Sequence, residues 1–406
     1  MSRTSTEQEL AAPARPHLSR ALLWLITVAS AVAVANLYYN QPMLAAMART
    51  FHADAHGIGL VATFTQAGYA LGMPIFIPLG DLVERRRLVV SLFMAVALAL
   101  AGAALAPNLT LLVVASFFIG LTTLIAQIMI PLGAELSAPE EQGKTIGSIL
   151  SGILLGILLA RTLSGSVAAH LGWRAMYWIA CGLALAFALL LRVRLPRVTA
   201  HSHLNYLELI QSLVRLVVET PKLRQVSLVG AMLFAAFSAF WTTLVFLLET
   251  PPYHYGSQTA GLFGLIGATG ALAAPISGRT SDRRGPRFVV AIALGIVVLA
   301  YAVFWGFGFH LIGLIVGVIL LDGGVQAAQV ANQYRVFALR PDARNRVNTI
   351  YMICYFGGGS LGSLAAAWAW SRWQWNGVCA VAIAFIVVGI LLFVRRVPDA
   401  AGVVAR

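Results

Sequence analysis

Twelve apolar stretches, each about 20 residues long, dominate this chain of 406 residues. About 20 apolar residues is the length that a helix needs to cross the roughly 30 Å hydrocarbon core of a bilayer. The stretches do not alternate between apolar and polar at every second residue, so they predict helices and not barrel strands. The predicted spans, numbered one to twelve, are 21–44, 58–79, 88–106, 109–132, 145–169, 173–193, 226–248, 259–278, 288–309, 311–334, 347–370 and 374–394.

Composition supports a membrane protein, because 59% of the residues are hydrophobic and only 11% are charged. Soluble domains carry about 25% charged residues, so this chain could not cover itself with a polar surface. The three cysteines all fall inside predicted spans, which favours small core residues over a disulfide framework. They are Cys181, Cys354 and Cys379.

The formal charge of +13 comes mainly from loops on one side of the predicted membrane. Cytoplasmic loops are enriched in Lys and Arg, so this bias predicts a plasma-membrane protein with both termini cytoplasmic, and argues against nucleic-acid binding. The start of span one also resembles a secretory signal peptide with a cleavage site at Ala33–Ala35, but we expect it to be retained. The cations off the basic side are Arg49, Arg174 and Arg372 in loops and Arg161 within span five.

An internal repeat divides the chain. Asp81 and Arg86, in "PIFIPLGDLVERRRLVV", recur 201 positions later as Asp282 and Arg287, in "PISGRTSDRRGPRFVV". Parallel repeats of this kind relate two halves by an axis along the membrane normal. The repeat predicts a cytoplasmic tail (1–20), an N-terminal six-helix bundle (21–193), a cytoplasmic connector (194–225), a C-terminal six-helix bundle (226–394) and a second cytoplasmic tail (395–406).

The loop after span eight resembles the signature of the major facilitator superfamily, G-x-x-x-D-[RK]-x-G-[RK]-[RK]. "NLYYNQPML" in span one, "ARTLSG" in span five and "ARNRVNTIYMICYFGGGSLGS" into span eleven are similar to the family's bacterial drug:proton antiporter-like members. The resemblance covers the whole length. It implies an all-α fold of twelve transmembrane helices in two pseudo-symmetric bundles, a bacterial inner-membrane location and a monomer.

The first copy of the signature departs from the family, because Ile77 and Glu84 stand where glycines are usual. The family's arginine motif in span four is also missing, since Ser116 stands four residues before Gly120. This second departure weakens the expectation of the family's usual proton relay.

The resemblance implies that the signature loops close a cytoplasmic gate between the halves. Asp81 would lie at the start of span eleven and Asp282 at the start of span five, because carboxylates are stabilised at helix N-termini. The alternative is that these charges only set the topology. The predicted gate residues are Asp81, Arg85, Arg86, Asp282, Arg283 and Arg287.

Small residues recur four apart in spans two, five, eight and eleven, and such spacing lets helices approach closely in lipid. The resemblance implies that these four spans form the interface between the halves. The glycine pairs would suit that interface; examples are Gly68 with Gly72, Gly152 with Gly156, and Gly358 with Gly362.

A polar stripe runs along span ten, because Asp322, Gln326, Gln329 and Gln333 fall within about 60° of arc on a helix. Polar stripes in a membrane face protein or water, so the stripe predicts a central cavity. The aromatic residues of span seven have packing or lipid contact as an alternative role. The other predicted substrate-binding residues are Asn36, Tyr39, Asn40, Thr123, Gln127, Phe237 and Trp241.

Arg161 and Asp322 are the two charges predicted well inside the hydrocarbon, where each costs at least about 2.5–3.5 kcal/mol if bare. We hypothesise that they meet, and that Asp322 and Arg161 couple transport to protons. The alternative is that Arg161 only caps backbone carbonyls of a neighbouring helix.

The sequence therefore predicts a secondary transporter and not an enzyme, since it shows no metal-ligand spacing, phosphate loop or nucleophile elbow. It predicts no cofactor; the expected partners are a small-molecule substrate, protons and the lipid bilayer. The predicted cargo is an uncharged or cationic amphipathic, drug-like molecule, exported in exchange for protons. A proton-coupled importer, a uniporter, and a channel or receptor on the same fold are the alternatives.

Overall fold

The computed structural model describes residues 18–80, 82–198, 206–340 and 343–397, and within these ranges every regular element is a helix. The first half contains α1 to α8. Their bounds are Arg20–Ala35, Asn40–Phe51, Ala55–Leu79, Arg85–Leu105, Leu109–Thr122, Ile125–Glu135, Gln142–Leu171 and Trp173–Arg194.

The connector contains one amphipathic helix, α9 (Tyr206–Glu219), which packs on the bundles through Leu209, Leu213 and Leu216. The second half contains α10 to α15. Their bounds are Pro221–Glu249, Ser257–Gly267, Ala273–Arg284, Pro286–Phe307, Leu311–Leu339 and Arg344–Val394.

The helices confirm the predicted fold class. The described residues form eleven helical segments that are long and apolar enough to cross a membrane. The last segment, α15, has 51 residues and is interrupted at Gln374, whose φ of 51° and ψ of −143° are not helical. Spans eleven and twelve therefore lie on either side of Gln374, and the predicted twelve spans are accounted for.

Three spans are broken in the middle, which the sequence patterns did not reveal. Span one breaks between α1 and α2, and span eight passes through a 3₁₀ turn at Ala268–Leu272. Pro42 and Pro275 explain these two breaks, because a proline removes one backbone N–H and clashes with the carbonyl four residues earlier. Span four breaks between α5 and α6.

The small residues make close contacts, but mostly inside each half. A Cβ on Gly362 would lie 2.0 Å from the carbonyl oxygen of Ala235 in span seven, and one on Gly156 would lie 2.5 Å from that of Ala31 in span one. The expectation that these glycines line the interface between the halves is thus wrong, because they let each half pack tightly within itself. Gly68, Gly72, Gly152 and Gly358 are likewise packed against helices of their own half.

The contacts between the halves lie towards one face of the membrane, the face opposite the arginine-rich loops. There α3 packs against α15, and α7 packs against α11, as the resemblance implied for the four spans. Close approaches join Gly59 to Ala367 and Gly165 to Gly261. Arg49 and Glu249 form an ion pair of 2.6 Å between the ends of spans one and seven at this face.

The halves are separated at the arginine-rich face. A Cβ on Gly143, Gly147 or Gly278, at the ends of spans five and eight on this face, would meet no atom within 4 Å. At this face, no hydrogen bond or ion pair between described residues links the bundles. The conformation is therefore open towards the arginine-rich face.

Candidate substrate and proton site

Arg161 lies in the interior of α7, where its side chain is 1% exposed. Its Nε donates a hydrogen bond of 2.8 Å to Oε1 of Gln41, just after the break in span one. Three aromatic rings surround the guanidinium, with Cζ at 3.7 Å from the ring centre of Trp241, 5.1 Å from Tyr38 and 5.6 Å from Phe237. Rings stabilise a cation, but they do not satisfy its N–H groups.

The terminal nitrogens of Arg161 are the unsatisfied part of this environment. Nη2 is buried and has no hydrogen-bond partner. Among the described residues, Arg161 donates to no backbone carbonyl, so the capping role considered as an alternative does not match this conformation.

Asp322 lies in the interior of α14 and is 8% exposed. Its Oδ2 is buried without a hydrogen-bond partner. The 3₁₀ turn of span eight brings glycines against it: a Cβ on Gly267 would lie 2.9 Å from Oδ1 of Asp322, and one on Gly270 would lie 2.7 Å from its Cβ. The broken span therefore makes room for the carboxylate.

Trp241 lies beside both charges. A Cβ on Gly267 would be 3.1 Å from Cζ2 of Trp241 as well as 2.9 Å from the Asp322 carboxylate. The indole Nε1 is buried and has no hydrogen-bond partner. Arg161 and Asp322 form no ion pair within 4 Å here. The hypothesis of a direct pair thus does not hold in this conformation.

An aromatic wall continues from Trp241 along span seven and into span eleven. Phe234 stacks on Phe237 at 5.3 Å and on Tyr355 at 4.0 Å between ring centres. The Tyr355 hydroxyl donates to Oε1 of Gln329 at 3.2 Å. The wall therefore joins the span-seven aromatics to the polar stripe of span ten, and these rings face protein and not lipid.

Two further predicted residues make hydrogen bonds in the first half, and one of them, Gln127, is linked to this wall. Gln127 donates to the Tyr69 hydroxyl at 3.2 Å, and the Tyr69 ring meets Phe356 edge-on at 4.5 Å. Asn40 donates to Oγ1 of Thr65 at 3.0 Å. Its Oδ1 has no partner.

The remaining predicted site residues are placed without such contacts. Asn36 and Thr123, at the breaks of spans one and four, are buried with side-chain polar atoms that have no partner. Tyr39 is buried beside Asn40. Gln326 and Gln333 are half-buried, and no hydrogen bond given for the described residues joins them to the cluster around Trp241.

The contacts seen for Arg85, Arg86 and Arg287 among the described residues do not link the two halves. Arg85 bonds Glu135 and the carbonyl of Gly80, and Arg86 pairs with Glu84 at 3.3 Å. In the second half, Arg287 lies over the ring of Phe393 at 5.3 Å.

The positions of the other predicted gate residues do not bear on whether the gate forms. Asp282 and Arg283 are exposed, and Asp81 lies outside the described residues. The gate remains a prediction for a conformation in which this face closes.

One polar cluster was missed by the sequence reasoning. Gln66 donates to Oγ of Ser363 at 2.9 Å and accepts from Ser238 at 3.1 Å. The hydroxyls of Ser363 and Thr242 lie 2.9 Å apart. These residues join spans two, seven and eleven, and single Ser, Thr or Gln residues on apolar helices gave no periodic signal.

Comparisons with known proteins identify this architecture. The sequence profile of the Major Facilitator Superfamily matches residues 25–334 and 226–405. The chain belongs to the Major Facilitator Superfamily. It is 39% identical over 379 residues to the uncharacterized transporter YgaY of Escherichia coli O157:H7, covering 93% of this chain and 96% of the relative. It is 32% identical to the probable transporter SCO4007 of Streptomyces coelicolor, covering 91% and 86%.

A solved structure shows the same fold. A bacterial homolog of the human lysosomal transporter Spinster, in an inward-facing and unoccupied conformation, superposes with a TM-score of 0.73 at 14% identity. The match covers 91% of this chain and 95% of that one. The protein is thus a multi-pass membrane transporter of this superfamily and not an enzyme.

Proposed function

We propose that this transporter is a proton-coupled exporter of small amphipathic organic molecules in the bacterial inner membrane. The observation that carries the proposal is the environment of Asp322: a carboxylate in the interior of span ten, 8% exposed, with one oxygen buried and unpartnered. Intramembrane ionisable residues mark ion pathways and proton relays. The predicted orientation, with the arginine-rich face cytoplasmic, makes this conformation the one that takes cargo from the cell interior.

The coupling follows from competition for one carboxylate. A proton and a cationic group of the cargo both neutralise Asp322, so binding of one opposes binding of the other. In the conformation seen here the carboxylate would release its proton and accept cargo. After the halves rock, the opposite face would supply protons that displace the cargo. Exchange requires only that the two ligands share this group.

The lining supports an amphipathic cargo. The wall of Phe237, Phe234 and Tyr355 offers aromatic surface, and Gln127 and Gln329 offer amides next to it. Binding sites for small organic molecules combine mainly apolar walls with a few placed polar groups.

Counterflow into proteoliposomes tests the proposal, because a compound panel run with and without a pH gradient identifies cargo and coupling together. Gradient-driven transport by the wild type and its loss in Asp322→Asn, with counterflow retained, is the expected result. Glu140→Gln is the matched control, since it removes an exposed carboxylate in the loop between spans four and five. Gradient-driven transport that persists in Asp322→Asn would overturn the proton-coupling role.

The same experiment separates the alternative functions. With all protein molecules oriented in one direction, one pH gradient would drive an exporter and an importer in opposite directions. An importer would accumulate cargo on the side of the membrane that an exporter depletes. A uniporter would show counterflow that is insensitive to the gradient in the wild type.

A further inference from the structure

We propose that the cargo is a zwitterion: its anionic group faces Arg161, its cationic group faces Asp322, and its apolar body lies on the aromatic wall. The inference rests on the proposed function only in taking the cluster around Trp241 as the substrate site. It narrows the cargo from amphipathic molecules in general to those carrying both charges.

The first argument is the state of the two charges. Arg161 has a buried N–H nitrogen, Nη2, without an acceptor, and Asp322 has a buried oxygen, Oδ2, without a donor. Buried polar atoms in native proteins are nearly always hydrogen-bonded, so an exception needs an explanation. Two such exceptions of opposite charge lie beside the same indole, Trp241.

The second argument is electroneutrality. Arg161 and the ionised Asp322 together carry no net charge, and a zwitterion adds none. A purely cationic cargo at Asp322 would leave the guanidinium as an uncompensated charge deep in the membrane. A purely anionic cargo would do the same to the carboxylate. The proton-loaded state leaves the guanidinium uncompensated in the same way. Because an uncompensated charge at this depth is costly, the site favours, among its cargo molecules, the one that serves both groups.

The third argument is that Arg161 is held in place without being neutralised. Oε1 of Gln41 accepts a hydrogen bond of 2.8 Å from Nε of Arg161, and the indole of Trp241 covers one face of the guanidinium. This leaves the terminal nitrogens as the donors, in the fork geometry that matches a carboxylate. Gln41 is neutral, so the arrangement orients the cation without supplying a counter-ion.

The test is a ranking of matched ligands by binding to the purified protein in detergent at pH 7, with no gradient. The first set is L-phenylalanine, L-phenylalaninol and N-acetyl-L-phenylalanine, which at this pH are a zwitterion, a cation and an anion of nearly equal shape. A larger set pairs ciprofloxacin, a zwitterion, with its ethyl ester. In at least one set, the zwitterion should bind about tenfold more tightly than each singly charged analogue, since hydrogen bonds to charged groups are strong.

Variants then assign the two ends. Arg161→Gln should abolish the preference for each zwitterion over its cationic analogue, and Arg161→Lys should retain part of that preference. Asp322→Asn should abolish the preference for L-phenylalanine over its N-acetyl derivative. Melting temperatures show whether each variant folds, and if Arg161→Gln does not, the wild-type ranking alone decides.

Two results would overturn the inference: in each set that binds, a singly charged analogue that binds as tightly as its zwitterion, or no binding by the zwitterion of either set. Because no gradient is applied, the ranking does not depend on proton coupling. Persistent gradient-driven transport in Asp322→Asn would refute the coupling and leave the ranking as it stands.

Discussion

Gln66 of span two donates a hydrogen bond of 2.9 Å to Ser363 of span eleven, 297 positions later in the chain. The bond lies between the two halves, and both residues are buried. About one helical turn away, Ser360 donates to the backbone carbonyl of Thr63 at 3.0 Å. These bonds must break when the opposite face opens, so they stabilise the conformation seen here relative to its alternate.

Breaking the Gln66 bond should shift the population towards the state that opens at the opposite face. In Gln66→Leu, we expect a cysteine placed at Ala367, which packs on Gly59, to react faster with a thiol reagent. One hydrogen bond contributes about 0.5–1.5 kcal/mol, so the rate should rise by up to about tenfold. Labelling kinetics on a background without native cysteines measures it.

Ser116→Ala is the matched control for that experiment. Ser116 is equally buried but donates only to Leu112 in its own helix, so its loss should leave the labelling rate unchanged. Equal rates in Gln66→Leu and the parent protein would show that the bond does not bias the two states.

The Arg49–Glu249 ion pair should act in the same direction but more weakly. The two side chains are 63% and 26% exposed, and exposed pairs contribute about 0–1 kcal/mol. We expect Glu249→Gln to raise labelling at position 367 by no more than about fivefold, and the effect to fade at 1 M salt. The double exchange, Arg49→Glu with Glu249→Arg, should restore the parent rate; failure to do so would exclude an ion-pair role.

Span positions followed from the sequence because a bilayer demands long apolar runs, and each of the twelve runs is helical in the structure. The polar stripe on span ten was also readable, since it is local and periodic. The packing partner of each glycine could not be read from the sequence. Whether Gly362 packs on Ala235 or across the interface depends on the tertiary arrangement, because small residues suit both. Likewise, the sequence shows that Arg161 and Asp322 are unusual charges within apolar spans, but only the folded structure shows that Trp241 lies beside both of them.

Gly362→Ala should destabilise the protein, because the added methyl carbon would lie 2.0 Å from the backbone oxygen of Ala235. Backbone cannot move aside as a flexible side chain can, and overpacking of this kind costs about 1–3 kcal/mol. A lower melting temperature in detergent is the expected result. Gly295→Ala is the control, since nothing lies within 4 Å and alanine favours a helix interior. Similar melting temperatures for the two variants would contradict the close packing.

Gly267→Ala should impair transport while leaving the fold intact. The added carbon would lie 2.9 Å from Oδ1 of Asp322 and 3.1 Å from Trp241, both on side chains that can shift, so the cost falls on the site and not on the backbone. We expect transport of the cargo identified by counterflow to drop tenfold or more, with an unchanged melting temperature. Gly295→Ala, in span nine with no atom within 4 Å, should transport normally. Full activity in Gly267→Ala would mean that cargo and proton do not use the space around Asp322.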